Sequence, residues 1–209
     1  MSEMSIRPAE AGDVPALAKL TAELWESELP MLMVAGKDKI AAFMERQLLA
    51  EDGRRLRNNF VGECDGEVVA VGGISTLEDP RPSAYRKGMV RDMVEVLGLW
   101  PTLRITPAVV RLMLSTLKED RPRFAYLYNI VIAPGRQRSG YGEQLYWHLQ
   151  QEATARNCEF IGGQVMDPKV LAFYDRVGAE VKEPFPRGRI ARRLGVPSQF
   201  VYKRMQREA

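Results

Sequence analysis

One histidine and two cysteines are all that 209 residues offer for soft-metal or thiol chemistry. Cys64 and Cys158 lack metal-ligand spacing, which excludes a zinc centre and a disulfide scaffold and leaves reduced thiols in a cytoplasm as the simplest reading. Net charge is only +3, too little to argue for a nucleic-acid partner. No apolar run approaches the roughly 20 residues that cross a bilayer. Met1-Ser2-Glu3-Met4 begins no charged-then-apolar export signal, so a cytoplasmic location is expected. Repeats and low-complexity tracts are missing as well. Hydrophobic content of 45% and charged content of 27% are ordinary for a globular protein, and the length suffices for one core. A single domain over 1–209 is expected.

Ser5-Ile6-Arg7-Pro8 reads as a short first strand. Val14, Leu17, Ala18, Thr21, Leu24 and Trp25 share one face of a helix, and Ile40, Phe43, Met44, Gln47 and Leu48 mark a second. Phe60–Cys64 and Val68–Ser75 flank Asp65-Gly66, a hairpin signal. Between Asp79-Pro80-Arg81-Pro82 and Asp120-Arg121-Pro122-Arg123 the rhythm changes. Met89, Met93, Val96 and Leu97 mark one helical piece there; Val109, Val110, Met113, Leu114 and Leu117 mark another. A helical insertion at about 78–123 is expected, serving as a packing appendage, a wall over a pocket, or an oligomer contact that would make a homodimer. Strands follow at Phe124–Ile132, Glu159–Met166, Ala179–Phe185 and Gln199–Met205, with a helix over 140–157. Asp167-Pro168 predicts one more helix, with aspartate as N-cap, proline at the first position and Gly178 past the end. The order predicts an α/β fold of the α+β type, with a mainly antiparallel mixed sheet flanked by helices.

The most informative stretch is Gln137-Arg138-Ser139-Gly140-Tyr141-Gly142. It follows the apolar strand and opens a helix, so its N–H groups stand unpaired where the helix dipole adds positive charge. A phosphate fits there, and the glycines at 140 and 142 let it approach closely. With no Gly-Lys-Ser/Thr ending, a P-loop hydrolase is excluded; Leu145 stands where a dinucleotide loop needs its third glycine.

Together with Ile132-Ala133-Pro134, the loop resembles the Gln/Arg-x-x-Gly-x-Gly/Ala acyl-CoA loop of the GCN5-related N-acetyltransferase family. The likeness extends over nearly the whole chain apart from the insertion. It implies the acyl-CoA N-acyltransferase fold, acetyl-CoA as cosubstrate, an amine acceptor, and neither metal, nucleic acid nor membrane as partner. A second signature lies in Asp167…Tyr174…Gly178-Ala179, where Asp167 replaces the family's asparagine and Ala179 its aromatic. The resemblance gives Tyr174 the role of protonating the departing CoA thiolate, and Asp167 a contact to the pantetheine arm. It gives Ile130, Val131 and Ile132 main-chain contacts to pantetheine and the acyl carbonyl. Gln137, Arg138, Ser139, Gly140, Tyr141 and Gly142 take the pyrophosphate, with Arg136 to one side.

The general base is the weak point. The central strand offers Tyr126, Tyr128 and Asn129 but no carboxylate, so Tyr128 and Asn129 stand as acceptor-site candidates. Glu28 and Glu78 are substitutes for the base, although a solvated surface role is the default for each. His148 reads as a packing residue. Cys158, at the far end of its helix, makes an acyl-cysteine intermediate improbable, which favours direct attack in a ternary complex. Arg187, Arg189, Arg192 and Arg193 read as a solvated basic loop. The function expected is acetyl transfer to a small-molecule amine. A protein or peptide acetyltransferase and a non-catalytic acyl-CoA sensor are the rivals.

Overall fold

Asp65 and Gly66 both take positive φ, 54° and 79°, the left-handed pair that closes a two-residue hairpin. Among the described residues a sheet of seven strands extends from that hairpin. The computed structural model describes residues 4–50, 53, 55–76, 79, 88–116, 123–165, 167–184 and 199–205. Its strands are β1 (Ser5–Pro8), β2 (Asn59–Cys64), β3 (Glu67–Ser75), β4 (Phe124–Ile132), β5 (Phe160–Val165), β6 (Glu180–Pro184) and β7 (Gln199–Arg204). They lie in the order β1-β2-β3-β4-β5-β7-β6. Only β4 and β5 run parallel; the other neighbours are antiparallel.

The helices are α1 (Val14–Glu28), α2 (Lys37–Leu49), α3 (Met89–Leu97), α4 (Leu99–Thr116), α5 (Tyr141–Ala155) and α6 (Leu171–Arg176). Among the described residues none is long and apolar enough to cross a membrane. One face of the sheet packs Phe60, Ala70, Ile74, Leu127 and Ile161 against Leu145, Tyr146 and Leu149 of α5. The opposite face sets Val61, Val71 and Val131 against Val14, Leu17 and Leu20 of α1. Alternation along each strand produces these two layers.

The insertion makes a third apolar cluster away from the sheet. Met89, Met93 and Leu97 of α3, one turn apart, join Ile105 of α4 against Ala18, Ala22, Ile40 and Met44. Asp92, only 5% exposed, accepts from Gln47 Nε2 at 3.2 Å and pairs with Arg46 Nη2 at 2.8 Å. This polar clamp fixes α3 on α2. α4 starts ahead of its Val109 stripe because Pro101 falls in the first turn, where no N–H is needed.

The helix expected from Asp167-Pro168 forms in two pieces. Asp167 Oδ1 accepts from the Lys169 N–H at 2.9 Å, so the carboxylate does cap this start. Val170 N–H then bonds Asp167 C=O at 3.2 Å, which closes a tighter 3₁₀ turn over Pro168–Val170 before α6 begins.

Candidate active site

The strand β4 changes its facing midway. Ala125 and Leu127 point to the α5 layer, but so do Ile130 and Ile132, which alternation alone forbids. The pairing explains it: Tyr128 opposes Gly73 and Val131 opposes Val71, so Asn129 and Ile130 together face Gly72. Asn129 is the extra residue, with φ of 52°, a conformation asparagine tolerates better than its apolar neighbours.

On its other edge β4 leaves β5. The parallel pairing runs from Phe124–Phe160 to Leu127–Gly163 and stops, while Gln164 and Val165 pair onward with β7 alone. Main-chain groups that β4 directs toward β5 between Tyr128 and Ile132 thus have no strand partner among the described residues. Gly163 is the last contact before the strands part. A Cβ there would stand 2.5 Å from the Leu127 carbonyl oxygen, so only glycine lets β5 hold β4 at that point.

The loop after β4 sits at the head of this gap. Arg138 and Gly140 take φ of 64° and 79° on either side of Ser139. Alternating left-handed residues turn successive N–H groups to one side, the geometry of an anion nest. The N–H groups of Gln137, Arg138, Ser139 and Gly140 bond to no backbone carbonyl among the described residues. A Cβ on Gly140 would meet nothing within 4 Å, so the nest faces open space. A non-glycine residue held at positive φ, as Arg138 is, costs about 1–2 kcal/mol. Gln137 Nε2 reaches back to Ile132 O at 3.4 Å. Tyr141 turns its ring inward, 4% exposed, with its hydroxyl 3.6 Å from Cys64 Sγ, so it meets the loop through main chain. Gly142 lies beside Phe173 of α6, where a Cβ would make an ordinary contact with the ring at 3.4 Å.

Tyr174 stands on α6, beside α5. Its ring meets Phe173 at 5.0 Å and Tyr146 at 6.5 Å, both edge to face. Burial, then the charge of Glu28, raises its phenol well above the usual tyrosine range, and Tyr146 and Tyr126 add to the effect. α1, β4 and α5 therefore all bear on this one hydroxyl. Glu28 closes α1 and is half-buried. Burial first, and the charge of Asp167 second, push its carboxyl up to about 7. Glu28, whose default reading was a solvated surface acid, is half-buried and feels the charge of Asp167, which is distant in sequence.

The Tyr128 ring covers Gly73, and its hydroxyl donates to Asn58 O at 3.1 Å. Arg156 bonds Asn58 Oδ1 at 3.0 Å and lies 3.7 Å from Asp79. His148 packs edge-on against Phe60 at 5.2 Å. Glu78 and the arginine run from Arg187 to Arg193 lie outside the described residues. The partners that sequence reasoning missed are Tyr126 as a neighbour of Tyr174, and Tyr146. An asparagine inside the apolar run of β4 is the one signal that could have located the bulge.

A sequence model of the acetyltransferase (GNAT) family matches residues 19–179. No curated protein sequence matches the chain significantly. Among solved structures, an N-acetyltransferase from Staphylococcus aureus Mu50 is 16% identical with a TM-score of 0.64, covering 95% of this chain and 100% of that one. A ribosomal-protein-alanine N-acetyltransferase from Brucella melitensis is 16% identical with a TM-score of 0.59, covering 96% of this chain and 99% of that one. N-acetylglutamate synthase from Neisseria gonorrhoeae, solved with coenzyme A and N-acetyl-glutamate, is 16% identical with a TM-score of 0.57. That match covers 99% of this chain but only 36% of the synthase. At such identities the likeness is one of fold.

Proposed function

The chain belongs to the acetyltransferase (GNAT) family, and from that premise we propose that it moves an acetyl group from acetyl-CoA to the primary amine of a small molecule, by direct attack in a ternary complex. Residues 1–209 are read as one such domain, with α3 and α4 as its helical insertion. Enzymes of this family take acetyl-CoA as their acyl donor. The observation that carries the proposal is the end of the β4–β5 pairing at Leu127, followed along β4 by the glycine-bearing nest, with Tyr174 a neighbour of Tyr126.

The residues present fit that donor. The unbonded N–H groups of Gln137, Arg138, Ser139 and Gly140 suit a pyrophosphate at the start of α5. The edge of Tyr128–Ile132, apart from the Ile132 carbonyl that Gln137 reaches, suits the amides of an extended arm and the acyl carbonyl. Acetyl-CoA supplies an acetyl group activated on sulfur. The protein contributes chiefly by holding that thioester and the amine in contact.

Glu28 is the base in this scheme. A carboxyl that titrates at about 7 is well matched to taking a proton from an amine near neutral pH. As nitrogen bonds to the acyl carbon, Glu28 accepts the ammonium proton. As the carbon–sulfur bond breaks, the electron pair leaves on sulfur and Tyr174 gives it a proton. Transfer of the proton from Glu28 to the Tyr174 phenolate then restores both groups.

A small acceptor is favoured by the placement of the insertion. α4 packs on the 3₁₀ turn Pro30–Ala35, directly after Glu28, and so builds up the wall on the amine's side. A protein N-terminus or lysine needs an open groove instead. The test is thiol release from acetyl-CoA over a panel of small amines and a peptide library. Turnover with small amines alone is expected. Turnover with peptides alone would move the proposal to the protein class, and binding without turnover would make the chain a sensor.

A further inference from the structure

We propose that Tyr146 is a positioning residue for the leaving-group acid: its hydroxyl donates a hydrogen bond to the Tyr174 oxygen as that oxygen gives up its proton. The proposal rests on the reading of Tyr174 as that acid. Tyr146 is 1% exposed, and its hydroxyl is buried with no hydrogen-bond partner among the described residues. A buried donor left in that state costs free energy that phenylalanine would not. Leu145 and Leu149, its neighbours on the same helix, fill the same layer without any polar atom. Packing alone therefore gives no reason for a hydroxyl at position 146.

The surroundings supply one. The Tyr146 ring stands edge to face with Tyr174 at 6.5 Å, Phe173 at 6.1 Å and Trp147 at 5.4 Å. The groups that bear on the Tyr174 phenol are Glu28 from α1, Tyr126 from β4 and Tyr146 from α5. No cation is among them. Once Tyr174 has given its proton to sulfur, a half-buried phenolate is left until the proton held by Glu28 returns to it. That charge needs a donor, and an oxyanion accepting O–H binds about twice as strongly as a neutral pair. Charge on Tyr146 would act the other way, raising Tyr174. That repulsion requires both phenols ionised, and burial keeps Tyr146 protonated far above neutral pH.

The test uses the full chain carrying Tyr174→fluorotyrosine, with the phenol titrated by fluorine NMR and no ligand present. Adding Tyr146→Phe removes one oxygen and keeps the ring. The Tyr174 midpoint is expected to rise by about one pH unit, with the thermal midpoint of unfolding unchanged or higher because an unsatisfied hydroxyl has gone. An unchanged or lower titration midpoint overturns the proposal. So does a lower melting temperature with an unmoved titration, which would give the hydroxyl a structural role. Kinetics separate the two readings, with acetyl-CoA and n-butylamine as probe and water hydrolysis as the second reaction. Tyr146→Phe should slow thiol release about tenfold beside native Tyr174, and not at all in the Tyr174→Phe background. Equal slowing in both backgrounds sinks the link to Tyr174. No effect of Tyr174→Phe by itself sinks the acid role, whatever the NMR coupling shows.

Discussion

Glu28→Gln trades stability for activity, and the size of the trade follows from one carboxyl. In the folded chain Glu28 titrates at about 7 instead of the ordinary 4.5, because burial and then the charge of Asp167 oppose its ionisation. At about 1.4 kcal/mol per pH unit the ionised folded form loses about 3 kcal/mol, or about 2 kcal/mol once partial exposure is allowed for. Between pH 4.5 and 7 the folded state keeps a proton that the unfolded chain has released. Stability therefore falls as pH rises through that window, and the loss is complete above it. Glutamine has no proton to lose. Urea unfolding at about pH 5 and about pH 8 should show Glu28→Gln gaining about 2 kcal/mol on the native chain at the higher pH and little at the lower. Turnover should move oppositely, falling about a hundredfold or more as a general base is lost. The acid limb of the native rate profile, with its midpoint near 7, should disappear. Identical pH dependence of unfolding in the two proteins would refute the burial of Glu28, and retained turnover would remove its role as base.

Three further perturbations test other parts of the molecule. Gly140→Val forces a branched side chain to a φ of 79°; acetyl-CoA affinity measured by calorimetry should drop at least about tenfold. Tyr174→Phe should lower kcat by about a hundredfold while the dissociation constant of acetyl-CoA stays within about twofold. Asp92→Ala leaves Arg46 and Gln47 without their shared acceptor under α3, so the denaturation midpoint should fall by an amount equivalent to about 2–3 kcal/mol, with acetyl-CoA binding retained.

The features legible before the structure are those set by neighbours along the chain. Asp65-Gly66 specified its turn, Asp167-Pro168 specified a helix start, and Gly140 marked the change from strand to loop to helix. The bulge was less visible because it is decided by pairing with β3: Asn129 is extra only relative to Gly72. Glu28 looked like an exposed helix end. Its titration is raised by burial first and then by the charge of Asp167, a residue that only the folded chain brings near α1. Tyr146 carried no signal, since its ring fits the apolar stripe of α5 and only its hydroxyl, without a partner among the described residues, is unusual. The insertion was visible as helical pieces, but its seat on α1 and α2 depends on Asp92 finding Arg46 and Gln47 across the interface.

The central claim is that the gap between β4 and β5, with the nest above it, holds acetyl-CoA. Calorimetric titration of acetyl-CoA into the full native chain tests it most directly. One equivalent should bind with a dissociation constant between about 1 μM and 1 mM, and Gly140→Val should weaken it. No heat and no bound mass at millimolar acetyl-CoA would contradict the claim.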